Sequence, residues 1–128
     1  MPLHPQDVVV VLKLVANRDG SKRWTYADLS KDLFMSASQV FRSVERAELG
    51  ADFLGGVAAQ MLELNPDEAQ KSIFLVGSYS SGELGSHGKA KERASAFRMG
   101  YFYQPVNDPV SAKYLDFQNN RFAQIKHN

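Results

Sequence analysis

The chain has 128 residues, of which 44% are hydrophobic and 23% charged, and a formal net charge of +1. This composition is typical of a globular domain and excludes collagen, coiled-coil rods and bulk disorder. It contains no cysteine, which excludes disulfides, thiolate metal sites and cysteine nucleophiles. No apolar run approaches the ~20 residues of a membrane-spanning helix and no signal peptide is recognisable, so we expect a cytoplasmic protein.

The charge is unevenly distributed along the chain. Residues 1–49 carry seven basic and six acidic side chains, residues 50–84 carry one and five, and residues 85–128 carry seven and three. The near-neutral total therefore combines an acidic middle with a basic C-terminal segment.

The first predicted helix begins at Pro5, a residue favoured in the first turn, and has Asp7 near its positive N-terminal end. Helical spacing predicts one buried face, formed by Val8, Val11, Leu12 and Val15. The turn-forming residues 17–21 should end the helix.

Two capping boxes follow at a short interval. Thr25 with Asp28, and Ser36 with Gln39, each fit the pattern in which a cap hydroxyl and a side chain three residues later bond reciprocally to backbone N–H groups. Between them there is room for a helix of about two turns, residues 26–33, and a bend at residues 34–35. The caps thus predict a short helix, a tight turn and a longer helix.

This unit resembles the helix-turn-helix of bacterial winged-helix transcriptional regulators, the MarR type among them. The resemblance is strongest in the run YADLSKDLFMSASQVFRSVER, residues 26–46, and covers about residues 5–49. The matching positions are Leu29, Leu33, Met35 and Val40 in the packing core, Ser36 at the cap, and Arg42 in the second helix. The resemblance implies a mostly α fold (α+β at most), with a winged-helix-like N-terminal half, additional helices and a possible short β-hairpin.

Two positions depart from the family pattern. Ser30 stands where a small alanine is usual, and Phe34 stands where a glycine is usual at the turn. That turn position is often held at positive φ, where a bulky residue is costly.

The outward face of the second helix is the candidate DNA reader. With Val40 facing the core, helical spacing places Ser38, Gln39, Arg42 and Arg46 on the opposite side. Gln39 and Arg42 suit paired hydrogen bonds to adenine and guanine, whereas Ser36, Ser38 and Arg46 suit phosphates. Lys31, with Lys22 and Arg23, can add phosphate contacts. A solvated surface helix is the alternative interpretation, and Glu45 would present a like charge to phosphate.

The second half carries weaker signals. Residues 50–56 form a poor strand pair, so any wing there should be very short, and residues 57–64 resemble a short apolar helix. Asn65 and Pro66 announce another helix, although residues 73–76 would serve equally well as a strand. The Gly- and Ser-rich residues 77–88 predict a loop.

The last segment combines basic and aromatic residues. Residues 89–99 contain four basic side chains and are followed by Gly100-Tyr101-Phe102-Tyr103, a pattern of either a nucleic-acid contact or a solvated helix before a core strand. Asp108-Pro109 should cap a last helix with Val110, Tyr114 and Phe117 on one side. Such a helix can dimerise the chain or cover its own core.

We therefore expect a helix-turn-helix unit over residues 1–56 and a helical accessory or dimerisation region over residues 57–128, both parts of one compact domain. The three scattered histidines lack metal-ligand spacing, and no carboxylate pair is placed for acid–base work, so we expect no metal, no cofactor and no enzyme activity. The predicted function is sequence-specific binding of double-stranded DNA by a homodimeric transcriptional regulator, with helix 37–48 in the major groove. The alternative is a protein interaction module, an adaptor or inhibitor, that uses the helix-turn-helix as a scaffold.

Overall fold

The computed structural model describes residues 4–17, 25–79 and 90–126, with the backbone alone for 14–17, 73–79 and 126. The helices are α1 (Pro5–Asn17), α2 (Tyr26–Leu33), α3 (Ala37–Met61), α4 (Pro66–Tyr79), α5 (Ala90–Tyr101), α6 (Val110–Asp116) and α7 (Phe122–Lys126), with a π-helical segment, Phe117–Arg121, joining the last two. The described residues contain no strand. The prediction of a mostly α fold is confirmed, whereas a β-hairpin is not present in this part of the chain.

The chain divides into two compact units within α3. Among the described residues, the N-terminal unit comprises those up to residue 48 and the C-terminal unit those from residue 49 onward. The division falls eight residues before the predicted boundary after residue 56. The first twelve residues of α3 thus belong to the N-terminal unit and the rest to the C-terminal unit.

Helix α1 buries a different face from the predicted one. Val8 and Val11 are exposed, and Leu12 has 62% of its surface exposed, whereas Asp7 and Val10 are buried. The reason is that Asp7 accepts hydrogen bonds from Ser43 and Arg46 of α3, which turns the Asp7 and Val10 side of the helix inward. The prediction that Val8, Val11 and Leu12 form the buried face was wrong; the side chain of Val15 lies outside the described residues.

Helix α3 continues through the segment where a wing was expected. Residues 50–56 are helical despite three glycines, and α3 ends only at Met61. The helical conformation of this segment is partly explained by Gly56 and Gly100, where α3 and α5 cross so closely that their backbones are in contact. A Cβ placed on Gly56 would lie 1.9 Å from the carbonyl oxygen of Phe97, and one on Gly100 would lie 2.0 Å from that of Phe53. Tertiary packing therefore overrides the local preference of glycine for a helix end.

A hydrophobic core cluster lies in the C-terminal unit. The rings of Phe53 and Phe117 stack with centroids 4.5 Å apart, and the edge of Tyr103 meets Phe53 at 6.0 Å. The other members of this core cluster are Leu49, Val57, Ala96, Phe122 and Ile125. The core thus joins α3 and α5 to the helical stretch that ends the chain.

The remaining helix predictions are mostly confirmed. The side-chain oxygen of Asn65 accepts hydrogen bonds from the N–H groups of Asp67 and Glu68, so it caps α4 as expected. Residues 73–76 are helical, and α4 extends to Tyr79, so it includes the first three residues of the predicted loop; the rest of that loop lies outside the described residues. The basic segment forms α5. The helix predicted after Asp108-Pro109 is α6, which begins at Val110 with Pro109 rather than Asp108 at the cap and no side-chain cap hydrogen bond.

Within the described residues, none of the helices combines the length and apolar character needed to span a membrane.

Candidate nucleic-acid interface

The predicted helix-turn-helix consists of α2, a three-residue turn and α3. At the start of α2, the Thr25 hydroxyl accepts from the N–H of Asp28 at 3.1 Å, and the Asp28 carboxylate accepts from the N–H of Thr25 at 3.1 Å. The first capping box is confirmed. It satisfies two backbone donors that an uncapped helix would leave without intrahelical partners.

The second capping box is confirmed at the start of α3. The Ser36 hydroxyl accepts from the N–H of Gln39 at 3.2 Å, and the Oε1 of Gln39 accepts from the N–H of Ser36 at 2.9 Å. A hydrogen bond with an O···O distance of 3.3 Å joins the hydroxyls of Ser36 and Ser38. Because the Gln39 oxygen is used in the cap, only its amide nitrogen is left for an outside acceptor in this conformation.

Hydrogen bonds to Ser30 stabilise the turn between the helices, and Phe34 is the first residue of that turn. Phe34 has φ 55° and ψ 41°, the left-handed conformation, and its N–H donates to the carbonyl oxygen of Ser30. The Ser30 hydroxyl donates to the carbonyl oxygen of Met35, which gives a function to the departure from alanine at this position. A non-glycine residue in this region costs about 1–3 kcal/mol. The Phe34 side chain is 96% exposed, so its own packing recovers almost none of that cost.

Most of the predicted contact residues are exposed in the structure. Lys31, Ser36, Ser38 and Arg42 are exposed, and Gln39 is half-buried. Glu45, which would have repelled phosphate, is only 9% exposed. The exposed part of α3 near its N-terminus therefore carries a cation and hydroxyl groups without the expected opposing carboxylate.

Among the predicted site residues, Arg46 is the one that the structure places in the interior. Its side chain is 3% exposed, and its Nε and Nη2 donate to the two carboxylate oxygens of Asp7 at 2.7 and 2.6 Å. The Ser43 hydroxyl donates to the same carboxylate at 2.6 Å. Burial opposes ionisation of Asp7, but the hydrogen bonds from Arg46 and Ser43 outweigh it and hold the pKa of Asp7 below its usual value. The expected outward direction of Arg46 is wrong, because α1 packs on that side of α3.

The basic residues of α5 are partly committed to ion pairs. Arg93 donates to both oxygens of the buried Asp52, with its Nε at 2.9 Å. Burial of Asp52 is the larger influence and raises its pKa, although Arg93 acts in the opposite direction. Arg98 pairs with Asp67 at 3.3 Å and lies over the ring of Phe102. Lys91 is exposed. These contacts favour a structural role for Arg93, which the basic pattern alone did not reveal.

A polar cluster joins the segment after α5 to the C-terminal helices. Asp116 accepts hydrogen bonds from the hydroxyl of Tyr103 at 2.7 Å, from Asn120 at 2.7 Å and from Arg121 at 2.9 Å. The bonds from Asn120 and Tyr103 lower the pKa of Asp116, whereas burial and the bond to Asp116 raise that of Tyr103. The buried Lys113 donates to the carbonyl oxygen of Val106 at 2.8 Å. The cluster fastens this loop to the helical end of the chain.

No group of three or more possible metal ligands occurs among the described residues. Comparison with known proteins adds no relative: no family model, no curated protein and no solved structure matches the chain.

Proposed function

We propose that this protein binds specific double-stranded DNA sequences as a transcriptional regulator, with the N-terminal part of α3 in the major groove. The observation that carries the proposal is the pair of reciprocal capping boxes on either side of a three-residue turn, followed by the exposed surface of Ser36, Ser38 and Arg42. In helix-turn-helix proteins, residues near the N-terminus of the second helix meet base edges. A homodimer on a pseudo-palindromic site is the arrangement that this class of reader uses.

The side chains divide by what they can reach. Arg42 is exposed and suits the O6 and N7 acceptors of guanine. Ser36, Ser38 and Lys31 suit phosphate oxygens, which fix the register of the helix on the duplex. Gln39 can donate from its amide nitrogen, whereas its oxygen already accepts one hydrogen bond in the cap of α3. Arg46 is omitted from the interface because Asp7 holds it in the interior.

Substitution of Arg42 tests the proposal. We expect Arg42→Ala to weaken binding to a duplex selected from a random pool by about 1–3 kcal/mol if Arg42 reads a base. Fluorescence anisotropy with the selected duplex measures the effect. Arg98→Ala, which removes an exposed arginine from α5, is the matched control and should bind as the unchanged protein does. Equal affinities for all three proteins would contradict the assignment of α3 as the reader.

The second candidate function is a protein interaction module. It is favoured by the exposed apolar side chains of α1, namely Val8, Val9, Val11 and Leu12, since contiguous apolar surface marks interaction sites. Duplex binding at low salt separates the two functions. A DNA reader binds random duplex there with an affinity that falls as salt rises, whereas an adaptor shows no duplex binding at any salt concentration.

A further inference from the structure

The most exposed large apolar side chain described in the structure lies in the turn of the helix-turn-helix. Phe34 presents 96% of its surface to solvent and does so from a left-handed backbone position. The backbone conformation carries a cost that glycine would avoid, and the ring offsets none of it because it gains no burial on folding. The chain's own packing therefore does not explain why a phenylalanine stands at this position.

The surroundings of Phe34 indicate the kind of partner. It stands two residues before Ser36, so their Cα atoms lie within about 8 Å of each other, at the end of α3 proposed to enter the groove. Lys31, three residues earlier, is an exposed cation, while the neighbouring Asp32 is paired with Lys13 at 3.4 Å. A polyanion is compatible with this surface, because Asp32, the acidic residue closest to Phe34 in the sequence, is already paired with a cation.

We propose that Phe34 reads thymine, by apolar contact of its ring with the C5-methyl group exposed in the major groove. This inference rests on the proposed function and adds a specificity-determining residue to it. Thymine is the base whose major-groove edge carries a methyl group, and phenylalanine is one of the side chains that make apolar contact with it. The left-handed backbone places the ring outside the chain's own core, ahead of the capped first turn of α3.

Removal of the methyl group from the DNA tests the contact directly. A duplex is selected with the unchanged protein, and each thymine in turn is replaced by deoxyuridine, which lacks the methyl group but keeps the hydrogen-bonding edge. We expect one or two replacements to weaken binding about fourfold each, the effect of exposing one methyl-sized group. Phe34→Gly should bind the thymine duplex more weakly and be insensitive to the same replacements.

Controls distinguish failure of this inference from failure of the proposed function. Phe34→Gly should melt a few degrees higher than the unchanged protein, because glycine relieves the backbone strain, so a loss of affinity is not a loss of folding. Phe102→Ala removes another exposed ring, from the end of α5, and should leave binding and its deoxyuridine sensitivity unchanged.

Each other outcome overturns a defined statement. If Arg42→Ala loses affinity while Phe34→Gly keeps both its affinity and its deoxyuridine sensitivity, the thymine contact is wrong and DNA binding stands. If no deoxyuridine replacement affects the unchanged protein, the thymine contact is also wrong. If Phe34→Gly converts a dimer to a monomer in sedimentation, the ring packs against a second copy of the chain instead. If the unchanged protein binds no duplex, both proposals fail.

Discussion

Arg46 shows how one buried contact reassigns a residue. On a single helical wheel it faces away from Val40, yet in the structure its guanidinium binds both oxygens of Asp7, with Ser43 donating to the same carboxylate. A buried charge pair of this kind is costly to break because the remaining partner stays charged and desolvated. Asp7 and Arg46 therefore fasten α1 to α3 and belong to the interior of the N-terminal unit.

Substitution of one partner should consequently cost far more than substitution of both. We expect Asp7→Ala to lower the free energy of unfolding by about 3–5 kcal/mol, because Arg46 is left without its carboxylate. The double variant Asp7→Leu with Arg46→Met should lose less, since apolar residues of similar volume can replace a buried ion pair. Urea denaturation followed by circular dichroism measures both. A double variant that is as unstable as Asp7→Ala would show that the ion pair itself, and not an orphaned charge, determines the stability.

The same ion pair predicts that the fold loses stability as the pH falls. The pKa of Asp7 is lower in the folded chain than its ordinary value of 3.8, so the unfolded chain binds a proton first as the pH falls. The stabilisation is complete above that ordinary value and is lost as the pH falls through the folded pKa. As the pH falls from about 5 through the folded pKa of Asp7, the free energy of unfolding of the double variant should therefore decrease less than that of the unchanged protein.

At the scale of elements, the close crossing of α3 and α5 controls the length of α3. Gly56 and Gly100 face the opposing backbone, and a Cβ at either position would overlap a carbonyl oxygen. Backbone groups cannot turn aside as the end of a flexible side chain can. The two helices must therefore separate to admit even one methyl group, and the core around Phe53 would lose its packing.

Gly56→Ala tests this crossing. We expect it to destabilise the protein by several kcal/mol, although alanine is favoured over glycine by about 1 kcal/mol in a helix interior. Ala58→Gly, at an exposed position of the same helix, should cost only that intrinsic ~1 kcal/mol. Thermal and urea denaturation of the two variants give the comparison. A Gly56→Ala protein as stable as the unchanged one would mean that α3 and α5 do not touch through their backbones.

Local and tertiary interactions explain which elements the sequence could predict. Thr25, Ser36 and Asn65 reveal their helix starts because a cap is satisfied within four residues of itself. The continuation of α3 through residues 50–56 has the opposite local signal, and only contact with α5 reverses it. The buried face of α1 was mispredicted for a similar reason: periodicity locates apolar positions, whereas Asp7 is turned inward by partners 36 and 39 residues away.

For the candidate interface, the sequence could predict the caps and the exposure of Lys31, Ser36, Ser38 and Arg42. It could not place Arg46, because a helical wheel assumes packing on one side and α3 is packed on more than one. It marked Phe34 through the glycine usual at that turn, but gave no reason to regard an exposed ring as a contact. The structure adds that reason by showing both the left-handed backbone and the exposure.

At the scale of the whole molecule, the net charge of +1 provides little long-range attraction to DNA. Binding must then depend on a few local cations. In the described part of the N-terminal unit, the exposed ones proposed for the interface are Lys31 and Arg42, since Arg46 is buried and Lys13 is paired with Asp32. The sequence adds Lys22 and Arg23 between α1 and α2, outside the described residues.

The number of these cations determines the expected salt dependence of binding. Each neutralised phosphate contributes about −0.9 to the slope of log K against log salt, so Lys31 and Arg42 give a slope of about −2 per chain, and Lys22 and Arg23 can bring it to about −4. Fluorescence anisotropy titrations at several salt concentrations between about 50 and 200 mM, where counterion release dominates, measure the slope. The double variant Lys22→Ala with Arg23→Ala should return the slope toward −2 if both side chains reach phosphates, whereas Lys91→Ala on α5 should leave it unchanged. A slope near zero would contradict DNA binding. A slope well beyond −4 per bound chain would require cations of the C-terminal unit and contradict α3 as the main contact.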